Sequence, residues 1–296
     1  MAERQTEQSG SYLGIDTWPD ERILDALVGG QERAIAAVRQ AAPTIARAAV
    51  ILAQRLTSGG RVFYAGAGTS IRVAVQDGSE LPATFGMPEE RIRYLIAGGR
   101  AAMFDTLAEA EDDEADGLAQ AENCASGDTL IAVAASGSTP FTVAAASRAR
   151  DKGAFVIAVV NNPGSRLAAA ADLEILLPTG PEVIAGSTRL AAGTAQKAAL
   201  NLLSTLTHIK LGAVHDGLMV NVETGNAKLR HRAAGIVAAI AGVDEARAGA
   251  ALDMAGGNVK PAVLLCAGAK NLAAAQRILA AANGNLRLAM SRIADT

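Results

Sequence analysis

Short unbroken apolar runs alternate, through the middle of the chain, with stretches in which apolar residues recur every three or four positions. Strands are expected at Val62 to Ala67, Arg93 to Ala97, Leu130 to Ala135, Phe155 to Asn161 and Leu173 to Leu177. Runs such as IAVAA and FVIAVV leave no polar side for water, so they predict strands buried on both faces. Five such strands separated by helical stretches predict an α/β fold built on a doubly wound parallel sheet, with helices on each side. Upstream, helical spacing runs from Asp20 to Gly29 and again from Glu32 to Leu56, where Ser58, Gly59 and Gly60 stop the second helix.

Residues 1 to about 20 lack periodicity and are broken by Gly10, Gly14 and Pro19, which predicts an extended arm within reach of a neighbouring subunit. After the segment Pro178 to Arg189 a long helix is expected through about Lys210. From Asn226 onward the pattern is almost wholly helical, broken around Gly242, Gly256 to Asn258 and Asn283 to Asn285. Helices this short are marginal alone and need packing partners. The expected organisation is an N-terminal arm and helix over 1–45, the α/β domain over 46–222 and a small helical domain over 223–296.

In a doubly wound sheet ligands sit at the carboxyl ends of the strands, and two hydroxyl-rich loops fall there. The run RVFYAGAGTS ends in Thr69 and Ser70, with Gly66 and Gly68 able to take positive φ. Downstream, TLIAVAA is followed by Ser136, Gly137, Ser138, Thr139 and Pro140, and then by an alanine-rich helical run. Helix capping is the plain role for such hydroxyls. Two loops after two parallel strands predict more: a shared site for one phosphorylated ligand, its anion drawn by the open N–H groups of the helix starts. No GxxxxGK[ST] element is present, so nucleotide hydrolysis is not supported.

Composition narrows the partners. Half of the 296 residues are hydrophobic and only 3% aromatic, which predicts a core of alanine, valine, leucine and isoleucine on closely spaced backbones. With 27 basic and 30 acidic side chains and no charge block, nucleic acid is not an expected partner. Cys124 and Cys266 have no metal-ligand spacing, and His208, His215 and His231 are scattered, so no metal site is expected. The opening MAERQTEQSG has no signal core, and Ala233 to Ala241 is too short to span a bilayer, so a reduced, cytoplasmic protein away from membranes is expected.

Two carboxylates stand out. Glu80, in QDGSELPATFG, stands between a glycine and a proline, where a helix should end and its side chain can point back over the strand ends. Glu111 lies in AEAEDDEADG, among acids that on pattern alone equally describe a solvated helix face. A carboxylate in a partly dry pocket gains a raised pKa and can serve as general acid or base, and two in different environments can divide those roles.

The series GAGTS, DGSELPATFG, IAGG, AEDD, AASGSTP, NNPGS, GPEVIAGSTRLAAGTAQK, LGAVHDGLMVNV and AGGNVKPA resembles, in order and spacing, the bacterial N-acetylmuramic acid 6-phosphate etherases of the sugar isomerase (SIS) domain superfamily. The resemblance implies a SIS domain followed by a small helical domain similar to a ubiquitin-associated module. It further implies homodimers with active sites near the subunit boundary, a phosphorylated amino-sugar substrate and no cofactor. It makes Glu80 the acid that protonates the leaving lactate and Glu111 the second catalytic glutamate, acting as base. Thr69, Ser70, Ser136, Gly137, Ser138 and Thr139 match the family's sugar-phosphate loops, and Glu182, Ser187, Thr188 and Arg189 its far wall.

The chain also departs from the family pattern. Ile71 replaces a usual glycine, Leu81 and Ala83 stand in an altered stretch beside Glu80, and Leu190 and Ala191 replace methionine and lysine. The same loops with a base at carbon 2 would serve a phosphosugar isomerase, and relatives of this fold include a non-catalytic sugar-phosphate sensor. Both stand as alternatives to the etherase.

Overall fold

The computed structural model describes residues 5–8, 12–105 and 108–294. It divides into two compact units, Met1–Ser79 with Glu90–Ser204, and Glu80–Glu89 with Thr205–Thr296. The division falls inside two helices, α2 and α6 below.

The first unit alternates helix and strand. Its elements in chain order are α1 (Asp20–Thr57), β1 (Val62–Gly66), α2 (Gly68–Phe85), β2 (Ile92–Ile96), α3 (Glu114–Ala121), β3 (Thr129–Ala134), α4 (Pro140–Asp151), β4 (Phe155–Val160), α5 (Arg166–Ala169), β5 (Leu173–Leu176) and α6 (Ala191–Lys210). The strands form one parallel sheet in the order β2-β1-β3-β4-β5, the α/β architecture expected from the apolar runs. Winding runs from β1 to β2 on one side and through β3, β4 and β5 on the other. The order therefore reverses between β1 and β3, and the loops after those strands leave the sheet side by side.

Every residue of β1 and β3 is buried, as strands covered on both faces require. Small side chains fill the core between sheet and α4: Ala65, Ala132, Ala158, Ala145, Ala146 and Ala149 are all buried with Phe63, Leu130 and Phe141. That is the aromatic-poor packing the composition predicted.

Two differences concern the N-terminus. The two helices expected before β1 are one helix of 38 residues, α1, with Pro43 inside it. Gly29 and Gly30 do not break it: both keep helical backbone, and Val183 packs against the helix 3.4 Å from where a Cβ on Gly30 would stand. Its buried positions, Ala34, Ala37, Val38, Ala41, Ile45, Ala48, Leu52 and Leu56, form one helical stripe. By length and composition α1 could cross a membrane, although 39% of its most apolar stretch is buried inside the protein. The arm is also folded back on its own unit. Thr6 is fully buried; its carbonyl accepts the Gly186 N–H at 3.0 Å and its hydroxyl accepts from Asn162 Nδ2 at 3.1 Å.

The second unit contains the end of α2, the last turn of α6, and a small antiparallel hairpin of β6 (Val214–His215) and β7 (Leu218–Met219). Five helices follow: α7 (Ala227–Ala241), α8 (Glu245–Met254), α9 (Val259–Cys266), α10 (Leu272–Ala281) and α11 (Leu286–Ala294). They bury Val220, Ile236, Val237, Leu252, Val263, Leu264 and Leu286 in a core of their own. Asn226, Asp244 and Asn271 cap three of the helix starts, each accepting an N–H three residues on. Lys260 is buried there; its ammonium donates to Gly284 O at 2.8 Å, and burial lowers its pKa to about 8.

Candidate active site

The loops after β1 and β3 line one cavity of about 280 Å³ in the first unit. Glycines make the approach possible. A Cβ on Gly66 would stand 2.8 Å from the Val133 carbonyl oxygen, so the two strand ends come this close only without one. Gly68, at φ 52, opens α2 and places Thr69 and Ser70 in its first turn. At Gly137, φ is 65 and a Cβ would meet Ser165 Cβ at 2.3 Å, so a side chain is excluded on both counts.

The hydroxyls of the second loop are not consumed by capping. Thr139 is the N-cap of α4 yet makes no side-chain cap bond. Ser136 Oγ accepts the Ser138 N–H at 3.2 Å. Ser138 Oγ is buried with no protein partner among the described residues, and a hydroxyl can both donate and accept a hydrogen bond. Thr69, Ser70, Ser136, Ser138 and Thr139 line the cavity at the starts of α2 and α4, where an anion is favoured, and Thr188 lines it from the segment before α6.

Glu111 enters the same cavity from the one-turn stretch Ala108–Asp112. Its Oε1 lies 3.0 Å from where a Cβ on Gly68 would stand, directly against the first loop. Burial, and secondarily the neighbouring Asp112, raise its pKa above the ordinary 4.5. A carboxylate partly withdrawn from water in this way is a candidate general acid or base. Among the described residues no group of three or more His, Cys, Asp or Glu side chains is arranged to hold a metal ion.

Other residues singled out in the sequence stand elsewhere. Glu80 is exposed on α2 and does not line the cavity. The helix does not end there. It runs through Pro82 to Phe85, because Leu81 and Phe85 are buried and Phe85 stacks on His208 with ring centroids 4.5 Å apart. Glu182 is buried, and its two carboxylate oxygens accept the N–H groups of Ala191 and Ala192 at 3.0 and 2.9 Å. It thereby caps the start of α6. Ser187 and Arg189 lie outside the lining, and Arg189 is exposed.

Two lining residues carried no sequence signal of their own. Asp112 was hidden in a run of acids, and Glu7 lies in the arm, where no periodicity or turn pattern marks it. A larger cavity of about 620 Å³ lies within the second unit, lined by Asn221, Glu223, Thr224, Asn258 and Lys260 among others, and contains neither strand-end loop.

A family model described as SIS domain matches residues 31–161. A protein of Deinococcus radiodurans named N-acetylmuramic acid 6-phosphate etherase is 47% identical over 288 residues, which is 96% of this chain and 94% of that one. Proteins of the same name from Symbiobacterium thermophilum and Klebsiella aerogenes are 49% identical over 80% of both chains, and 39% identical over 98% of this chain and 97% of the other. Among solved structures, a candidate phosphosugar isomerase involved in capsule formation from Bacteroides fragilis superposes with a TM-score of 0.50 at 18% identity. It covers 69% of this chain and 97% of its own. At that identity the likeness concerns the fold alone.

Proposed function

This chain belongs to the N-acetylmuramic acid 6-phosphate etherase family, and we propose that its two-loop cavity holds a 6-phosphorylated N-acetylmuramic acid while the lactyl ether is cut. It is an enzyme, a carbon–oxygen lyase, and the products are D-lactate and N-acetylglucosamine 6-phosphate. The observation that carries the placement is the meeting, in one cavity, of unconsumed serine and threonine hydroxyls with a half-buried carboxylate of raised pKa.

The chemistry follows from the substrate. In the open-chain sugar the aldehyde at carbon 1 acidifies the proton on carbon 2. Glu111, as carboxylate, takes that proton, and the electron pair forms the carbon 2–carbon 3 double bond as the carbon 3–oxygen bond breaks. The leaving lactate oxygen takes a proton from a general acid. Water then adds across the double bond, hydroxyl to carbon 3 and proton to carbon 2, so that atoms balance. Thr69, Ser70, Ser136, Ser138 and Thr139, with the starts of α2 and α4, hold the phosphate and thereby the sugar, supplying position rather than bond breaking.

The acid is assigned to Glu80 on the family motif around it, and Ser187 and Arg189 are kept with Thr188 as the far wall on the same ground. Assembly as a homodimer and a cytoplasmic location belong to the same reading. Both cysteines are free and buried, which suits a reducing compartment; recovery of the native protein in a periplasmic or membrane fraction would overturn the location.

The test is D-lactate release from N-acetylmuramic acid 6-phosphate by native protein and by Glu80→Gln and Glu111→Gln, with deuterium uptake at carbon 2 followed in parallel. Each substitution should cost roughly a hundredfold or more in rate. Glu80→Gln should retain deuterium uptake, and Glu111→Gln should lose it. A native protein that returns the sugar with its carbon 3 substituent intact and isomerised carbonyl is an isomerase instead. Full lactate release by Glu80→Gln removes that residue from the acid role.

A further inference from the structure

Glu7 occupies a place in this cavity that neither the loops nor the family motifs account for. The arm is anchored one residue earlier. Thr6 is fully buried and accepts hydrogen bonds from Asn162, just beyond the end of β4, and from Gly186, in the segment that also carries Thr188. Glu7 follows directly, exposed, and lines the cavity with Ser136, Ser138 and Thr188. Its Oε2 lies 2.8 Å from where a Cβ on Gly186 would stand, and Gly186 has φ 75, so that wall is kept free of a side chain where the carboxylate lies. Among the described residues Glu7 forms neither an ion pair nor a side-chain hydrogen bond.

We infer that Glu7 is a sugar-recognition residue, accepting hydrogen bonds from the hydroxyl or amide donors of the bound amino sugar. The inference rests on the sugar-phosphate reading of the cavity given above. Charge decides which end of the ligand it meets. A phosphate monoester carries about −1.5 to −2 near neutral pH and is repelled by a carboxylate; it belongs with the hydroxyls and helix starts of α2 and α4. The remainder of the sugar offers O–H and N–H donors, and an ionised carboxylate is an acceptor only, so the two complement each other. Thr6 is the structural member of the pair, and Glu7 is free to face the ligand.

The experiment is calorimetric titration of the full chain with N-acetylglucosamine 6-phosphate and, separately, with inorganic phosphate, for native protein, Glu7→Gln and Glu7→Ala. Glu7→Ala should weaken the sugar phosphate by about tenfold or more, as loss of a charge-assisted hydrogen bond does, and Glu7→Gln by less. Inorganic phosphate should bind both variants at least as tightly as native protein, since its partners are untouched and a like charge is removed. Equal weakening of both ligands makes Glu7 a mere support of the cavity wall and overturns the inference, as does unchanged affinity for the sugar phosphate or failure of native protein to bind either ligand. Native protein that binds the sugar phosphate but releases no lactate from the etherase substrate sinks the etherase reading instead, and the comparison between the two ligands still decides the role of Glu7.

Discussion

At the scale of single residues, the site depends on what each side chain is kept from doing. Thr139 is an N-cap that does not cap, Ser138 carries an unmatched buried hydroxyl, and Gly137 holds the turn only because it has no side chain. Glu111 is the residue whose environment alters its chemistry. Burial and the Asp112 charge both disfavour its ionised form, so its folded pKa lies above 4.5. In the base role proposed for it Glu111 must be ionised, so kcat/KM should fall as pH drops through that raised value, and the acid limb should stand above the ordinary carboxylate position. Asp112→Asn removes the smaller of the two causes and should move the limb part of the way down, a shift that a pH–rate profile of native and variant enzyme measures. A limb that stays put means that Asp112 does not act on the base.

At the scale of elements, α2 carries at its start the first of the two loops proposed to hold phosphate, and its seating is set by a buried polar cluster further along. Asp77 is 4% exposed and accepts hydrogen bonds from Tyr64 Oη on β1 at 2.9 Å and from Asn201 Nδ2 and Ser204 Oγ on α6 at 2.7 and 2.8 Å. Next to it Gly78 admits the two tyrosines, since a Cβ there would stand 2.7 Å from Tyr94 Oη and 2.8 Å from Tyr64 Cε2. Asp77→Ala strands these donors in the interior and should lower stability by about 2–4 kcal/mol, read from the midpoint and slope of urea unfolding. A loss below about 0.5 kcal/mol, the size of an ordinary surface change, would mean that the cluster does not fix the helix. The loops of the site were legible in the sequence because glycine and hydroxyl residues directly follow apolar runs. This cluster was not, because Asn201 and Ser204 stand more than a hundred residues from Asp77 and nothing local pairs them with it.

At the scale of the whole molecule, α1 presents an apolar stripe outward as well as inward. Leu24, Val28 and Ile35 are 58%, 55% and 48% exposed and fall on one side of the helix. Apolar side chains exposed on one side of a helix offer a candidate contact for the proposed homodimer. Light scattering on the eluting native protein should give about twice 30.1 kDa, and glutamate at all three positions should reduce it to the single-chain mass. A native protein that stays monomeric across a wide concentration range overturns the assembly. What the sequence by itself determined are the features that depend on neighbours along the chain: the five strands, the helical C-terminal region, the two glycine-hydroxyl loops and the motif series that resembles the family. Periodicity and turn chemistry act over a few residues, so a single sequence displays them. Tertiary structure alone decided that the two N-terminal helices are one, with Val183 packed beside Gly30; that Glu182 caps α6 rather than lining the cavity; that Glu80 stands exposed on a helix continuing past it; and that Glu7 reaches the site. Apart from Glu182, whose partners stand only nine and ten residues on, these depend on packing between segments distant in sequence, where burial and hydrogen-bond satisfaction, rather than local preference, choose the partner.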